Sequence, residues 1–155
     1  MRALGFIPLL LFVMAVSPAP DPPSGGAETV ALRAAAKEMQ AFSRGDRAAF
    51  IDEFAQDAII VDEAPPFVYI GSDAAGRWFD ANRPNLRDIS ITVDRVLQSA
   101  VSVDGDRVFL AIRITLVGNG IKGRAFRGDA LWTGVFERGR DGVMRIATLT
   151  ISPAP

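Results

Sequence analysis

The chain has 155 residues, of which 49% are apolar and 23% charged, and its formal net charge is -1. This balance is typical of one folded globular domain, and the lack of a basic surface argues against nucleic-acid partners. The sequence contains neither cysteine nor histidine, which excludes disulfides, thiol nucleophiles, histidine bases and the common zinc sites. We therefore expect no metal site and no cofactor.

The first 27 residues have the pattern of a secretion signal followed by a tether rich in proline and glycine. Arg2 precedes an apolar run from Ala3 to Val16, which suits a signal peptide and is shorter than the ~20 residues that span a bilayer. We expect an exported protein, periplasmic or secreted, whose domain occupies residues 28–155. An uncleaved segment that anchors the protein to the membrane is the alternative.

Three helices are predicted in the first half of the domain. Apolar residues recur at helical spacing over 29–44, and Asp46 is suited to cap a second helix. A short strand is expected over 58–62, where β-branched residues precede two prolines. A third helix begins after Ser72 or Asp73.

From Leu86 onward the apolar residues alternate with polar ones, which predicts strands. The alternation slips by one residue near Arg95, which indicates a β-bulge. Glycine-containing turns separate three further strands, expected at 107–117, 124–138 and 143–152. Helices first and strands second predict an α+β fold, with three N-terminal helices packed on a curved, mainly antiparallel sheet.

Short motifs stand at the joints between these elements. They are Arg44-Gly45-Asp46, Phe54-Ala55-Gln56-Asp57, Val61-Asp62-Glu63, Tyr69-Ile70-Gly71, and the run 132–138 followed by Asp141-Gly142. In this order they resemble the nuclear transport factor 2-like superfamily, which includes steroid delta-isomerases and SnoaL-type polyketide cyclases. The resemblance spans about residues 28–152 and implies a cone-shaped fold with a pocket at its open end. It also implies a homodimer that forms through the outer sheet face.

Asp62 is the candidate catalytic residue. It follows the apolar run 58–61, and a run of similar shape in steroid delta-isomerases ends in the aspartate that moves a proton on the substrate. The resemblance therefore implies a general base at Asp62, and the alternative is an exposed aspartate without a role. The isomerases' oxyanion-hole groups are missing, because Glu38 or a neighbour replaces their tyrosine and Thr133 or Gly134 replaces their acid.

Further side chains are candidates for the wall of a ligand pocket, and most of the aromatic ones also suit the core. They are Tyr69, Trp78, Arg113, Asp129, Trp132 and Thr133. Arg113 either reaches into the pocket or lies on the outer sheet face. Arg127 and Asp129 share one face of a strand, as part of a site like that of limonene epoxide hydrolases or, preferably, as a solvated cross-strand ion pair.

Three functions are open. The preferred one is an exported pocket protein that binds a small apolar molecule, because the leader is clear and the catalytic set is incomplete. The second is an isomerase- or cyclase-type enzyme that uses Asp62 as general base on a polyketide- or terpene-like substrate. The third is a dimerising interaction module without catalysis.

Overall fold

The computed structural model describes residues 26–154, apart from the side chain of Ile121. The predicted secretion signal lies outside the described residues. The helices are α1 (Ala27–Arg44), α2 (Arg47–Asp52) and α3 (Ala74–Asn82), with short 3-10 turns at Arg83–Asn85 and Ile121–Gly123. The strands are β1 (Phe54–Val61), β2 (Val68–Ile70), β3 (Arg87–Val101), β4 (Arg107–Asn119), β5 (Ala125–Arg138) and β6 (Met144–Pro153).

The six strands form one open sheet in the order β2-β1-β6-β5-β4-β3. β1 runs parallel to β6, while the other neighbouring strands are antiparallel. Helix α1 packs on β3, β4 and β6, and α3 packs on β1 and β2. The predicted α+β class, with N-terminal helices on a mainly antiparallel sheet, is confirmed.

Two details of the sheet differ from the sequence prediction. β1 begins at Phe54 rather than at residue 58, with a register shift between Phe54 and Ile59. The three-residue strand β2, which pairs Tyr69 with Ile60, was not predicted because three residues are too few to show a period of two. The bulge is confirmed, since the β3–β4 register shifts between Val93 and Arg95.

Helix α1 buries one face against the sheet. Residues of this face recur every three to four positions, as the 3.6-residue repeat requires; they are Ala31, Ala34, Ala35, Glu38, Met39, Ala41 and Phe42. The helix ends at Gly45, whose φ of 72° is left-handed and whose N–H donates to Phe42 O. Asp46 then caps α2 as predicted, because its side chain accepts from Ala49 N at 3.1 Å. The sequence therefore places a carboxyl group, Glu38, on the core side of α1.

Arg83 fixes the end of α1 against the start of the long strands. Its guanidinium donates to the backbone oxygens of Phe42, Ser43 and Leu86. The bond to Ser43 O satisfies a carbonyl that the helix end leaves without a backbone partner, and the bond to Leu86 O ties the helix end to the segment before β3. Among residues 26–154, no helix is long and apolar enough to cross a membrane.

Candidate functional site

A cavity of about 300 Å³ lies between α1, α3 and the face of the sheet that the helices cover. Its walls are mainly apolar and include Met39, Phe42, Ile91, Ile114, Leu116 and Phe126. The volume is at the lower end of the range for small-molecule sites. Apolar walls with a few polar groups are also the usual composition of such sites.

Asp62, which directly follows β1, presents its carboxylate to this cavity. Its Oδ2 accepts from Trp78 Nε1 at 2.6 Å and from Asn82 Nδ2 at 3.3 Å, and its Oδ1 accepts from the backbone N–H of Ala64 at 3.1 Å. Trp78 and Asn82 are one turn apart on α3, so a single helix face supplies both side-chain donors. The carboxylate is therefore held in one orientation by three neutral donors.

Glu38 is the second carboxyl group of the cavity and is only 2% exposed. Its Oε2 has no hydrogen-bond partner among the described residues. The pKa of Glu38 is raised to about 8, mainly by burial and to a smaller extent by the negative charge of Glu53. The nearby indole N–H of Trp132 lowers the pKa of Glu38. The contact between Trp132 Nε1 and the Glu38 carboxyl does not, however, have the geometry of a full hydrogen bond. At neutral pH the carboxyl is mostly protonated.

The sequence identified Glu38 only as the residue that replaces a tyrosine, and not as a member of the site. A signal was present, because Glu38 interrupts the apolar face formed by Ala35, Met39 and Phe42. A charged residue on the buried face of an amphipathic helix is uncommon unless it has a partner or a function.

The predicted pocket residues divide between this cavity and other places. Those that border the cavity are Asp62, Trp78, Asp129 and Trp132. Tyr69 is instead packed in the core, with 5% of its surface exposed. Arg113 and Thr133 do not border the cavity; they lie on the outer sheet face, since Ile112 and Ile114, which alternate with Arg113, point inward and are buried.

Asp129 borders the cavity, but its carboxylate forms its bonds on the outer sheet face. Its Oδ2 accepts from Arg113 Nη2 at 3.1 Å, and its Oδ1 lies 3.0 Å from the hydroxyl of Thr115. Arg113 first and Thr115 second hold the pKa of Asp129 below its usual range. The cross-strand ion pair of Asp129 is thus with Arg113, and Arg127 acts on it only through its charge.

No group of three or more carboxylate side chains within residues 26–154 is arranged to hold a metal ion. The polar side chains that border the cavity include those of Glu38, Asp62 and Asn82.

Comparison with solved structures supports the fold. A ketosteroid isomerase-like protein from Erwinia carotovora atroseptica superposes with a TM-score of 0.69 at 18% identity, covering 82% of this chain and 96% of that one. A hexachlorocyclohexane dehydrochlorinase from Novosphingobium barchaimii gives 0.73 at 17% identity, covering 83% and 87%. A protein with a cystatin-like fold from Nostoc punctiforme gives 0.66 at 15% identity, covering 83% and 91%. Similarity at these identities concerns the fold and not the activity.

No curated protein sequence matches this chain significantly. The sequence profile of the SnoaL-like domain matches residues 35–148, most of the chain. This match agrees with the structural neighbours and with the superfamily resemblance of the sequence motifs. The chain belongs to the SnoaL-like domain family.

Proposed function

We propose that this protein is exported and binds a small, mainly apolar molecule in the cavity between α1, α3 and the sheet. The observation that carries the proposal is a mainly apolar cavity of about 300 Å³ whose wall includes the carboxyl groups of Glu38 and Asp62. Apolar walls supply most of the binding free energy of such ligands, and the few polar groups fix their orientation.

Binding is better supported than catalysis because of how Asp62 is held. Both of its carboxylate oxygens already accept hydrogen bonds, from Trp78, Asn82 and Ala64. These bonds suit a fixed acceptor for a ligand, whereas a general base has to carry a proton away from its substrate. Loss of an oxyanion donor lowers the rate of an enzyme by roughly 10²–10³-fold. The tyrosine and the acid that the isomerases use for this purpose are not at the matching positions of this sequence, and Thr133 lies on the outer sheet face, away from the cavity.

An isomerase- or cyclase-type enzyme is the second candidate. It is favoured by the position of Asp62 at the cavity and by structural neighbours that include a dehydrochlorinase and an isomerase-like protein. Turnover of a polyketide- or terpene-like substrate that disappears in Asp62→Asn would support it. Ligand binding at fixed stoichiometry without turnover would support the binding proposal instead.

Gly128 offers a direct test of the binding proposal. It borders the cavity, and a Cβ built on it meets no atom within 4 Å. There is therefore open space for a side chain at this position, and we expect a leucine to occupy part of the cavity that Gly128 borders. Gly128→Leu should weaken the binding of a compact apolar ligand at least about tenfold, because overlapping volume excludes the ligand. Ala100→Leu, on an exposed stretch of β3, is the matched control and should bind normally.

The two tryptophans of the chain report occupancy without a label, because Trp78 and Trp132 both border the cavity. Native mass spectrometry of the purified protein would show whether a ligand copurifies. Binding that is equal in Gly128→Leu, Ala100→Leu and the unaltered protein would place the ligand elsewhere and refute the proposal.

Export is the other part of the proposal and rests on Arg2 and the apolar run to Val16. Residues 1–30 fused to a reporter that is active only outside the cytoplasm should give signal. Leu9→Arg together with Leu11→Arg should abolish it, because two charges prevent insertion of an apolar segment of this length. Signal that survives both charges would contradict export through this segment.

A further inference from the structure

The charged side chains that border the cavity are all acidic. Its lining residues include the carboxyl groups of Glu38 and Asp62 but no lysine or arginine. Neither carboxyl group forms an ion pair with a cation of the described residues. Asp129, which does have such a partner, points its carboxylate to Arg113 on the outer face. Within residues 26–154, no cationic side chain is therefore paired with either of these two carboxyl groups.

Glu38 differs from an ordinary exposed acidic residue because it is buried in the wall of the cavity. It is 98% buried, since only 2% of its surface is exposed, it borders the cavity, and its Oε2 has no hydrogen-bond partner among the described residues. A buried polar atom without a partner carries a free-energy penalty, which a bound group can remove by hydrogen bonding to it.

We propose that the ligand of this cavity is an organic cation, a protonated amine on a compact apolar body, whose ammonium group pairs with Glu38. The proposal specifies the ligand class of the proposed function and rests on it. A carboxylate is tolerated in an apolar interior when a cation with good hydrogen-bond geometry pairs with it. The rings of Phe42, Trp78 and Trp132 border the same cavity, and their faces also attract ammonium groups.

Binding of the amine has a consequence for protons. Before binding, the carboxyl of Glu38 is mostly protonated at neutral pH, because burial raises its pKa to about 8. As the ammonium enters, the O–H bond of Glu38 breaks, the proton passes to the buffer, and the carboxylate pairs with the cation. Because that proton is harder to remove at lower pH, affinity should rise by up to about tenfold per pH unit and level off above about pH 8.

Several groups act on Glu38 during this titration. Glu53, which follows α2, raises its pKa, and the indole N–H of Trp132 from β5 lowers it. Glu53 is itself near Lys37, whose Nζ lies 3.9 Å from its Oε1. Asp62 and the exposed Glu63 complete the acidic side chains that face the cavity.

Three probes on one apolar skeleton test the proposal: bornylamine, the ketone camphor, and a bornane carboxylic acid. Tryptophan fluorescence gives their affinities from about pH 6 to about pH 8, and calorimetry in two buffers of different ionisation heat gives the protons released. Near pH 8 bornylamine should bind at least about tenfold more tightly than camphor, and the acid should not bind. Glu38→Gln should abolish proton release and the pH dependence, whereas the control Glu28→Gln, in the first turn of α1 and outside the cavity lining, should keep both.

The affinities and the proton release distinguish failure of the cation proposal from failure of the pocket proposal. If camphor binds as tightly as bornylamine across this pH range, the ligand is neutral, so the cation proposal is overturned while the pocket proposal stands. If none of the probes binds, both proposals are overturned. Proton release that persists in Glu38→Gln overturns the role of Glu38. Proton release by the unaltered protein is measured separately, so the proposal is tested even if the Glu38→Gln variant folds poorly.

Discussion

Glu38 should make the protein less stable as pH rises, and Glu38→Gln should remove this effect. Its pKa is about 8 in the folded protein against a reference of 4.5. Below about pH 4.5 the carboxyl is protonated in both the folded and the unfolded state, so it adds no pH dependence. Between these values the folded protein retains a proton that the unfolded chain loses, so the free energy of unfolding falls by about 1.4 kcal/mol per pH unit.

The size of the effect at neutral pH follows from the same two values. From pH 4.5 to pH 7 the loss amounts to roughly 3 kcal/mol, a large part of the 5–15 kcal/mol that is typical for a small domain. Glutamine has nearly the same shape and does not titrate. The difference in unfolding free energy, variant minus unaltered protein, should therefore rise by about 1.4 kcal/mol per pH unit from about pH 5 to about pH 8 and then level off.

Urea unfolding of both proteins at several pH values measures this difference, and the pH dependence of all other groups largely cancels in it. Glu63→Gln is the matched control, because Glu63 borders the same cavity but is exposed to water; its difference should stay nearly flat. A flat difference for Glu38→Gln as well would refute the reasoning. It would mean that water or a cation reaches the carboxyl in the folded protein.

Three further predictions concern the frame of the site and the assembly. Asp62→Asn should lower the free energy of unfolding by about 1–3 kcal/mol in urea unfolding, because an amide cannot accept from Trp78, Asn82 and Ala64 together; an unchanged midpoint would contradict these bonds. Gly45→Ala should cost about 1 kcal/mol in thermal unfolding, since φ is 72° and Cβ would lie 3.3 Å from Arg83 Nη2. We also propose a homodimer through the outer face, where Phe109 faces Val135; sedimentation of a monomer at about 100 μM would count against it.

Most of the fold was predictable because its signals are local. The 3.6-residue repeat of α1, the cap at Asp46 and the alternation after Leu86 are each read from a few neighbouring residues. The slip near Arg95 likewise revealed the bulge. What the sequence did not show depends on distant contacts: the parallel pairing of β1 with β6 joins segments about ninety residues apart, and β2 is a strand only because β1 lies beside it.

The site was less predictable because it depends on which face a side chain takes and what surrounds it. Asp62 was identified, but its bonds to Trp78 and Asn82 depend on how α3 packs against β1. Arg113 was left open between two faces, and the structure places it outside with Asp129. Alternation shows that two residues share a face, but it does not show which face the helices will cover.

Glu38 itself argues for a binding site in this cavity rather than a merely structural void. A carboxyl buried without a cationic partner lowers stability above pH 4.5, and an apolar residue of similar size would avoid that loss on a helix face that is otherwise apolar. Strongly perturbed ionisable groups in cavities are concentrated at functional sites, where the loss of stability is offset by what the group does. Glu38, whose ionised form is disfavoured by burial, is therefore the carboxyl group that we most expect to act on a ligand.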